Sequence, residues 1–278
     1  MRVLITGVTG FLGSQLADTL SARGHDVFGT TTRLEASRPP EITRLRLGDP
    51  VDASIFAGVD VLVHAAHDLS PDSREHNVTG TILIAEAAAS CGVKRQVYIS
   101  SFSAHAGAVT EYALTKVELE AYFLPRAHAV VRPGLVVGRG GLFERMADAM
   151  RTRRVVPIIY PTARIPLIAI DDLTASLVTV IEGGRTGLQR LYNDGRVTMT
   201  ELIVAIKRAA GSHSLLVPVP YPAALAAAVA FETFGIKSPL SSESLRALRV
   251  NQAVTDGGDL AGLVDNTRGM QEMIDVAV

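Results

Sequence analysis

The sequence predicts a doubly wound parallel α/β sheet with a smaller C-terminal lobe, and three observations predict it. Short apolar, β-prone runs alternate with helical patterns over roughly the first half of the chain. The first of these runs leads straight into three evenly spaced glycines, Gly7, Gly10 and Gly13, and then into a helix. Polar residues recur just after the apolar runs, at the strand ends where open α/β sheets bind ligands.

Val3, Leu4 and Ile5 read as a strand buried on both faces. In Thr6-Gly7-Val8-Thr9-Gly10-Phe11-Leu12-Gly13, Gly7 permits the turn, Gly10 lets a pyrophosphate approach the backbone, and Gly13 lets helix and strand pack closely. Phe11, Leu12, Leu16 and Leu20 recur at helical spacing, so free N–H groups and the positive end of a helix dipole make an anion site. A second strand is expected over 27–32. A ribose-binding acid belongs about 20 residues beyond such a turn, yet the chain reads Thr30-Thr31-Thr32-Arg33. Arg33, with Arg38 as second choice, is the expected partner of a 2′-phosphate, which slightly favours NADP over NAD. A solvated loop role for Arg33 weighs almost as much.

A third strand is expected over 44–47, ending in Gly48-Asp49, and a fourth over 59–66, where Ala65 and Ala66 suit close approach of a flat cofactor ring. His64 and His67 beside it read first as packing residues. Asn77 is expected to open an alanine-rich helix that ends at Cys91-Gly92. A fifth strand over 97–99 ends in Ser100-Ser101-Phe102-Ser103.

The sharpest chemistry follows in Tyr112-Ala113-Leu114-Thr115-Lys116. Four residues apart on a helix, Tyr112 and Lys116 share one face. A phenol is a poor base at neutral pH, and a neighbouring ammonium is expected to lower its pKa and fit Tyr112 for general acid/base work. Ser101 could polarise the substrate oxygen beside it. With six tyrosines and only Lys94, Lys116, Lys207 and Lys237, roughly 0.09 such pairs are expected by chance, so the pair is a signal.

Composition narrows the remaining choices. A net charge of −1 and 47% hydrophobic residues describe a globular protein with no global basicity for nucleic acid. The single cysteine, Cys91, excludes an intrachain disulfide framework and a cysteine-based zinc site. No secretory leader is evident, and the uncharged, apolar stretch 215–231 carries three prolines and is too short for a confident span. The expected setting is cytoplasmic, away from membranes, with a homodimer left open.

Taken together, the ordered motifs resemble those of extended short-chain dehydrogenase/reductases of the NAD(P)-dependent epimerase/dehydratase family, built on a Rossmann fold. The matching residues are Thr6-Gly7-x-x-Gly10-x-x-Gly13, Gly48-Asp49, Asp60 with His64-Ala65-Ala66, Asn77-Val78-x-Gly80-Thr81, Ser100-Ser101, Tyr112-x-x-x-Lys116, Arg132-Pro133-Gly134 and Asp171-Asp172-Leu173. The resemblance implies that Thr6, Gly7, Thr9, Gly10, Phe11, Leu12, Gly13, Asp49, Ala65, Ala66, Asn77, Ser100, Pro133 and Gly134 line the nicotinamide nucleotide, with Asp49 at its adenine end. It implies that Ser101, Tyr112 and Lys116 form the catalytic triad, with Lys116 also on the nicotinamide ribose. No metal is implied by hydride chemistry.

Two departures bear on substrate. Ser101 and Tyr112 are only 11 residues apart, and Ala104-His105-Ala106-Gly107 stands where sugar-nucleotide epimerases typically show Val-Tyr-Gly. That leaves room for a reductase of a smaller or more apolar carbonyl compound, with Ser103 and His105 as candidate substrate contacts. A retained-cofactor epimerase or dehydratase of a sugar nucleotide is the alternative, and a non-catalytic NAD(P) sensor is the rival of another class. Residues 1–134 are expected to form the nucleotide domain, rejoined by parts of 164–197, and 135–278 mainly the substrate lobe. There, arginines 139, 145, 151, 153 and 154 could meet a phosphorylated substrate or equally form a solvated basic helix end. A helix capped by Thr198 or Thr200 spans 200–210, and 223–234 reads first as a packed small-residue helix, with a lid or an apolar subunit contact as alternatives.

Overall fold

β1 (Arg2–Thr6) lies inside a seven-stranded parallel sheet in the computed structural model, which describes residues 1–32, 41–70, 72–234, 241–254, 256–263 and 267–278. Arg33 and Arg38 lie outside the described residues. The chain continues through α1 (Phe11–Ala22), β2 (Asp26–Thr31) and β3 (Glu41–Arg44), then crosses β1 to β4 (Val61–His64). It proceeds through α2 (Arg74–Ser90), β5 (Arg95–Ile99), α3 (Glu111–Phe123) and β6 (Ala129–Pro133). After β7 (Leu135–Val137), α4 (Gly141–Thr152), β8 (Val155–Ile159), β9 (Arg164–Ile165), β10 (Leu167–Ala169) and α5 (Ile170–Glu182), it returns to the sheet as β11 (Gly187–Leu191). β12 (Val197–Thr198), α6 (Met199–Ala209), β13 (Leu215–Val219), α7 (Tyr221–Thr233), α8 (Ser242–Val250) and α9 (Met270–Ala277) complete it.

The sheet order is β11-β6-β5-β4-β1-β2-β3. The strands run outward from β1 to β3, then jump back to β4 on its other side. This reversal opens a crevice at the carboxyl ends of β1 and β4. Alternating side chains divide the core between the two faces. Val3, Ile5, Val61, Val63, Val97 and Ile99 pack with Leu16 and Leu20 of α1 and Leu173 and Leu177 of α5. On the other face, Leu4, Leu62, Tyr98 and Val130 meet α2 and α3 through Ile84, Ala88, Leu119 and Phe123. A separate core joins α4, α6 and α9 to β8 and β10 through Phe143, Ile158, Leu202, Ile206 and Ile274.

Several expected boundaries shift for local reasons. The third strand is Glu41–Arg44 rather than 44–47, because Leu45 and Leu47 turn off the edge strand and into the core. Within 164–197, a strand expected over 165–170 is broken by Pro166 into β9, paired antiparallel with β12, and β10, paired parallel with β7. Helix α2 begins at Arg74, one turn before Asn77. Thr198 is the cap of α6, in a capping box with Glu201. Helix α7, expected to be packed core, buries only Ala224 and Ala228, and Val229 and Phe231 are exposed. Among the arginines of the lobe, Arg151 is engaged with Glu144, Asp148 and the Val278 carbonyl.

His64 is a packed core histidine. Its Nε2 lies 2.8 Å from Gln96 Oε1, and Gln96 donates to the Ala85 carbonyl at 3.0 Å. With the Gln96 amide nitrogen so engaged, Oε1 accepts and His64 Nε2 carries the proton. Burial holds its pKa down to about 4, from 6.5. In the window between these values the unfolded chain binds a proton that the folded chain refuses, so stability is full above pH 6.5 and falls as pH drops toward 4. The loss expected from this group by pH 4 is of the order of 3 kcal/mol. A melting-temperature profile checks it: His64→Gln should flatten the acid limb between pH 6.5 and 4, and an unchanged limb would assign it to other groups.

Candidate active site

The glycine turn is shaped by backbone contacts. Gly7 has φ +69°, and a Cβ there would lie 2.9 Å from Ala66 Cα. A Cβ on Gly13 would sit 2.3 Å from the Gly7 carbonyl oxygen, so helix α1 can start this close to β1 only with glycine. Gly10 is different: a Cβ there would meet only the Gly7 oxygen, at 3.1 Å, and its outer side is open. Gly10 is also the N-cap of α1, with no side-chain cap and no acid in the first turn. Its orphan N–H groups and open approach fit the phosphates of a dinucleotide.

The expected nucleotide residues gather at this crevice in two roles. Thr6 and Asn77 are buried and brace its walls. The Thr6 hydroxyl accepts from the backbone N–H groups of Ala65 and Ala66, both at 3.2 Å, and so ties β1 to the end of β4. Asn77 accepts from Asp68 N–H and donates to the Asp68 carbonyl, each at 2.8 Å, fixing the loop after β4. The Thr9 and Thr31 hydroxyls lie 2.6 Å apart. Asp49 follows Gly48 (φ +85°) and is exposed. Leu12 and Phe11 are partly buried, and the Phe11 ring packs under the loop between β7 and α4, where a Cβ on Gly140 would come within 2.3 Å of it. Gly134 lies close beneath Pro166 and Tyr192.

Ser101, Tyr112 and Lys116 converge at the end of β5. Ser101 favours the Tyr112 phenolate, but burial, the larger influence, raises the phenol's pKa. The residue remains 39% exposed overall. Lys116 is buried and donates to the Ile99 carbonyl at 2.9 Å, with Nζ 5.5 Å from the Tyr112 ring centre. The expectation that Lys116 lowers the phenol's pKa is therefore not met in this arrangement: the ammonium is turned to a backbone carbonyl, and desolvation prevails. Burial pulls the ammonium itself down to about 7, with Glu120 opposing.

Behind the triad lies a cluster that sequence reasoning passed over. Glu120, one turn beyond Lys116 and 4% exposed, accepts from Ser100 Oγ at 2.5 Å and from Arg132 Nε and Nη2 at 2.7 and 2.5 Å. One carboxylate thus joins the ends of β5 and β6 to α3. Its sequence signal was its place four residues after Lys116 on the same helix face.

The two candidate substrate residues are already engaged. His105 Nε2 lies 2.9 Å from Asn251 Oδ1, and Asn251 donates to Ser103 Oγ at 3.2 Å. Glu243 of α8 accepts from the Glu111 N–H at 2.6 Å. The segment from α8 to the turn after it is therefore latched onto the loop that carries Ser101. His67, in contrast, sits edge-on to Tyr112, with ring centres 5.0 Å apart.

Comparison with known proteins shows the family and the fold. The model of the NAD dependent epimerase/dehydratase family matches residues 3–195. The chain is 28% identical over 249 residues to ceramide reductase of Caulobacter vibrioides, covering 81% of this chain and 75% of that one. The crystal structure of gox2253 superposes with a TM-score of 0.81 at 21% identity, over 99% of this chain and 96% of the other. Thermus thermophilus UDP-glucose 4-epimerase, solved with NAD, gives 0.66 at 20% identity, over 91% of this chain and all (100%) of that one.

Proposed function

The chain belongs to the NAD dependent epimerase/dehydratase family and is an enzyme of the extended short-chain dehydrogenase type; on that premise we propose that it is a nicotinamide-dependent oxidoreductase acting on the carbonyl or alcohol carbon of a small molecule. The observation that carries this reading is the convergence of Ser101, Tyr112 and Lys116 beside the open glycine turn.

The turn and the first N–H groups of α1 would hold the diphosphate, with Ala65 and Ala66 beside the glycines. When bound, the nicotinamide gives or takes a hydride. Tyr112 Oη supplies a proton to the carbonyl oxygen in reduction and removes one from the alcohol in oxidation. Ser101 Oγ, close enough to Tyr112 to influence its phenol, orients the same oxygen. Lys116, with Nζ 5.5 Å from the Tyr112 ring centre, would favour the phenolate electrostatically only on turning from the Ile99 carbonyl. NADP is slightly preferred as cofactor, a preference resting on Arg33 and on the run Thr30-Thr31-Thr32-Arg33, which carries no carboxylate. Reduction with a released cosubstrate is favoured over a retained-cofactor epimerase by the short spacing from Ser101 to Tyr112.

The nucleotide itself tests this. Protein dialysed exhaustively and then denatured is expected to release none, while the dialysed protein binds NADPH more tightly than NADH. Tightly retained nucleotide would favour the epimerase reading. Binding of neither form would remove the proposal.

A further inference from the structure

Three histidines lie around the crevice, and the structure divides them. His64 is committed to Gln96, and His105 to Asn251. His67 makes no hydrogen bond to any described residue, although it follows Ala65 and Ala66 directly at the end of β4. Its ring is partly exposed and stands at 86° to the Tyr112 ring, with centres 5.0 Å apart. The neighbouring charges are already spoken for. Asp68 accepts from Ser70 N–H and Oγ, and Lys116 donates to the Ile99 carbonyl.

We propose that His67 is the substrate-reading histidine, hydrogen-bonding a hydroxyl on the carbon next to the reacting carbonyl, so that the enzyme selects α-hydroxy carbonyl compounds and, in reverse, vicinal diols. This rests on the reading that Tyr112 acts at the carbonyl oxygen. A substrate whose oxygen meets Tyr112 and Ser101 must place its adjacent substituents against whatever borders the phenol, and His67 borders it edge-on. Burial and the Lys116 ammonium hold the imidazolium down to about 3, so at neutral pH the ring is uncharged. A neutral imidazole offers one donor and one acceptor, the complement of a hydroxyl. It is too weak a base there to supply the reaction's proton, which leaves orientation and selection as its role.

The test uses the full chain with NADPH or NADH and two matched ketones, α-hydroxyacetophenone and acetophenone. Wild type is expected to prefer the hydroxylated ketone in kcat/KM. His67→Phe, which keeps a ring edge against Tyr112, should shrink that preference about tenfold, the worth of one hydrogen bond, with little change on acetophenone. In proton–nitrogen spectra, the His67 ring signals, identified by their loss in His67→Phe, should move on adding α-hydroxyacetophenone and stay with acetophenone. This second readout needs no turnover, so it fails independently of the Tyr112 reading. An unchanged preference in His67→Phe, an equal loss on both ketones, or a wild type without the preference (including one that reduces neither) overturns the proposal. Stationary ring signals overturn it as well.

Discussion

Tyr112→Phe is expected to lower the single-turnover rate of hydride transfer by roughly 10²–10⁴-fold, the usual worth of a positioned general acid or base. The substitution removes one oxygen and leaves the ring. The edge contact with His67 and the ring facing Lys116 at 5.5 Å both survive, so the crevice keeps its walls. What disappears is the hydroxyl proposed to carry the proton beside Ser101. Nucleotide affinity should therefore hold while chemistry slows, a split that global damage would not produce. The measurement pairs a nucleotide titration with stopped-flow absorbance of the reduced nicotinamide, using the ketone pair above. An unchanged rate with tight nucleotide binding would take Tyr112 out of the chemistry.

Glu120→Ala carries the largest expected cost to the fold, about 3–5 kcal/mol, because it strands Arg132 without its counter-ion in a largely buried site. The same change orphans Ser100 Oγ and takes from Lys116 the one carboxylate that supports its charge against burial. A drop in melting temperature of roughly 10 °C follows for a chain of this size. The double variant Glu120→Ala/Arg132→Leu should recover part of it, since removing both charges costs less than leaving one. If the single variant melted with wild type, the pair would be marginal to stability.

Much of this was legible in the sequence because the signals were local. The glycine turn is a strand, three glycines and a helix within thirteen residues, and the Tyr112–Lys116 pair is a single helical turn. Contacts formed over long separations left no such trace. Nothing near His105 points to Asn251, which lies 146 residues away, and Glu120 looks like any helical glutamate until Arg132 folds against it. The same limit holds for His105, which stands near the serine in sequence and is engaged by Asn251 only in the fold. Helix α7 is ambiguous in sequence because a run of alanines has no stripe. Its composition is apolar on every side, and only the residues toward α8 and its neighbours are covered.

Phe11 and Gly140 illustrate a constraint of another kind. The ring occupies the space that a Cβ at position 140 would need, and Gly138 and Gly141 also face it. These positions are separated by more than a hundred residues in the chain, one at the head of the nucleotide turn and the other on the path into the second lobe. Natural drift at either site is therefore not independent. A lineage acquires a side chain at 140 only after trimming residue 11, and the order of those two steps is set by van der Waals volume. The two halves of the molecule inherit their changes together.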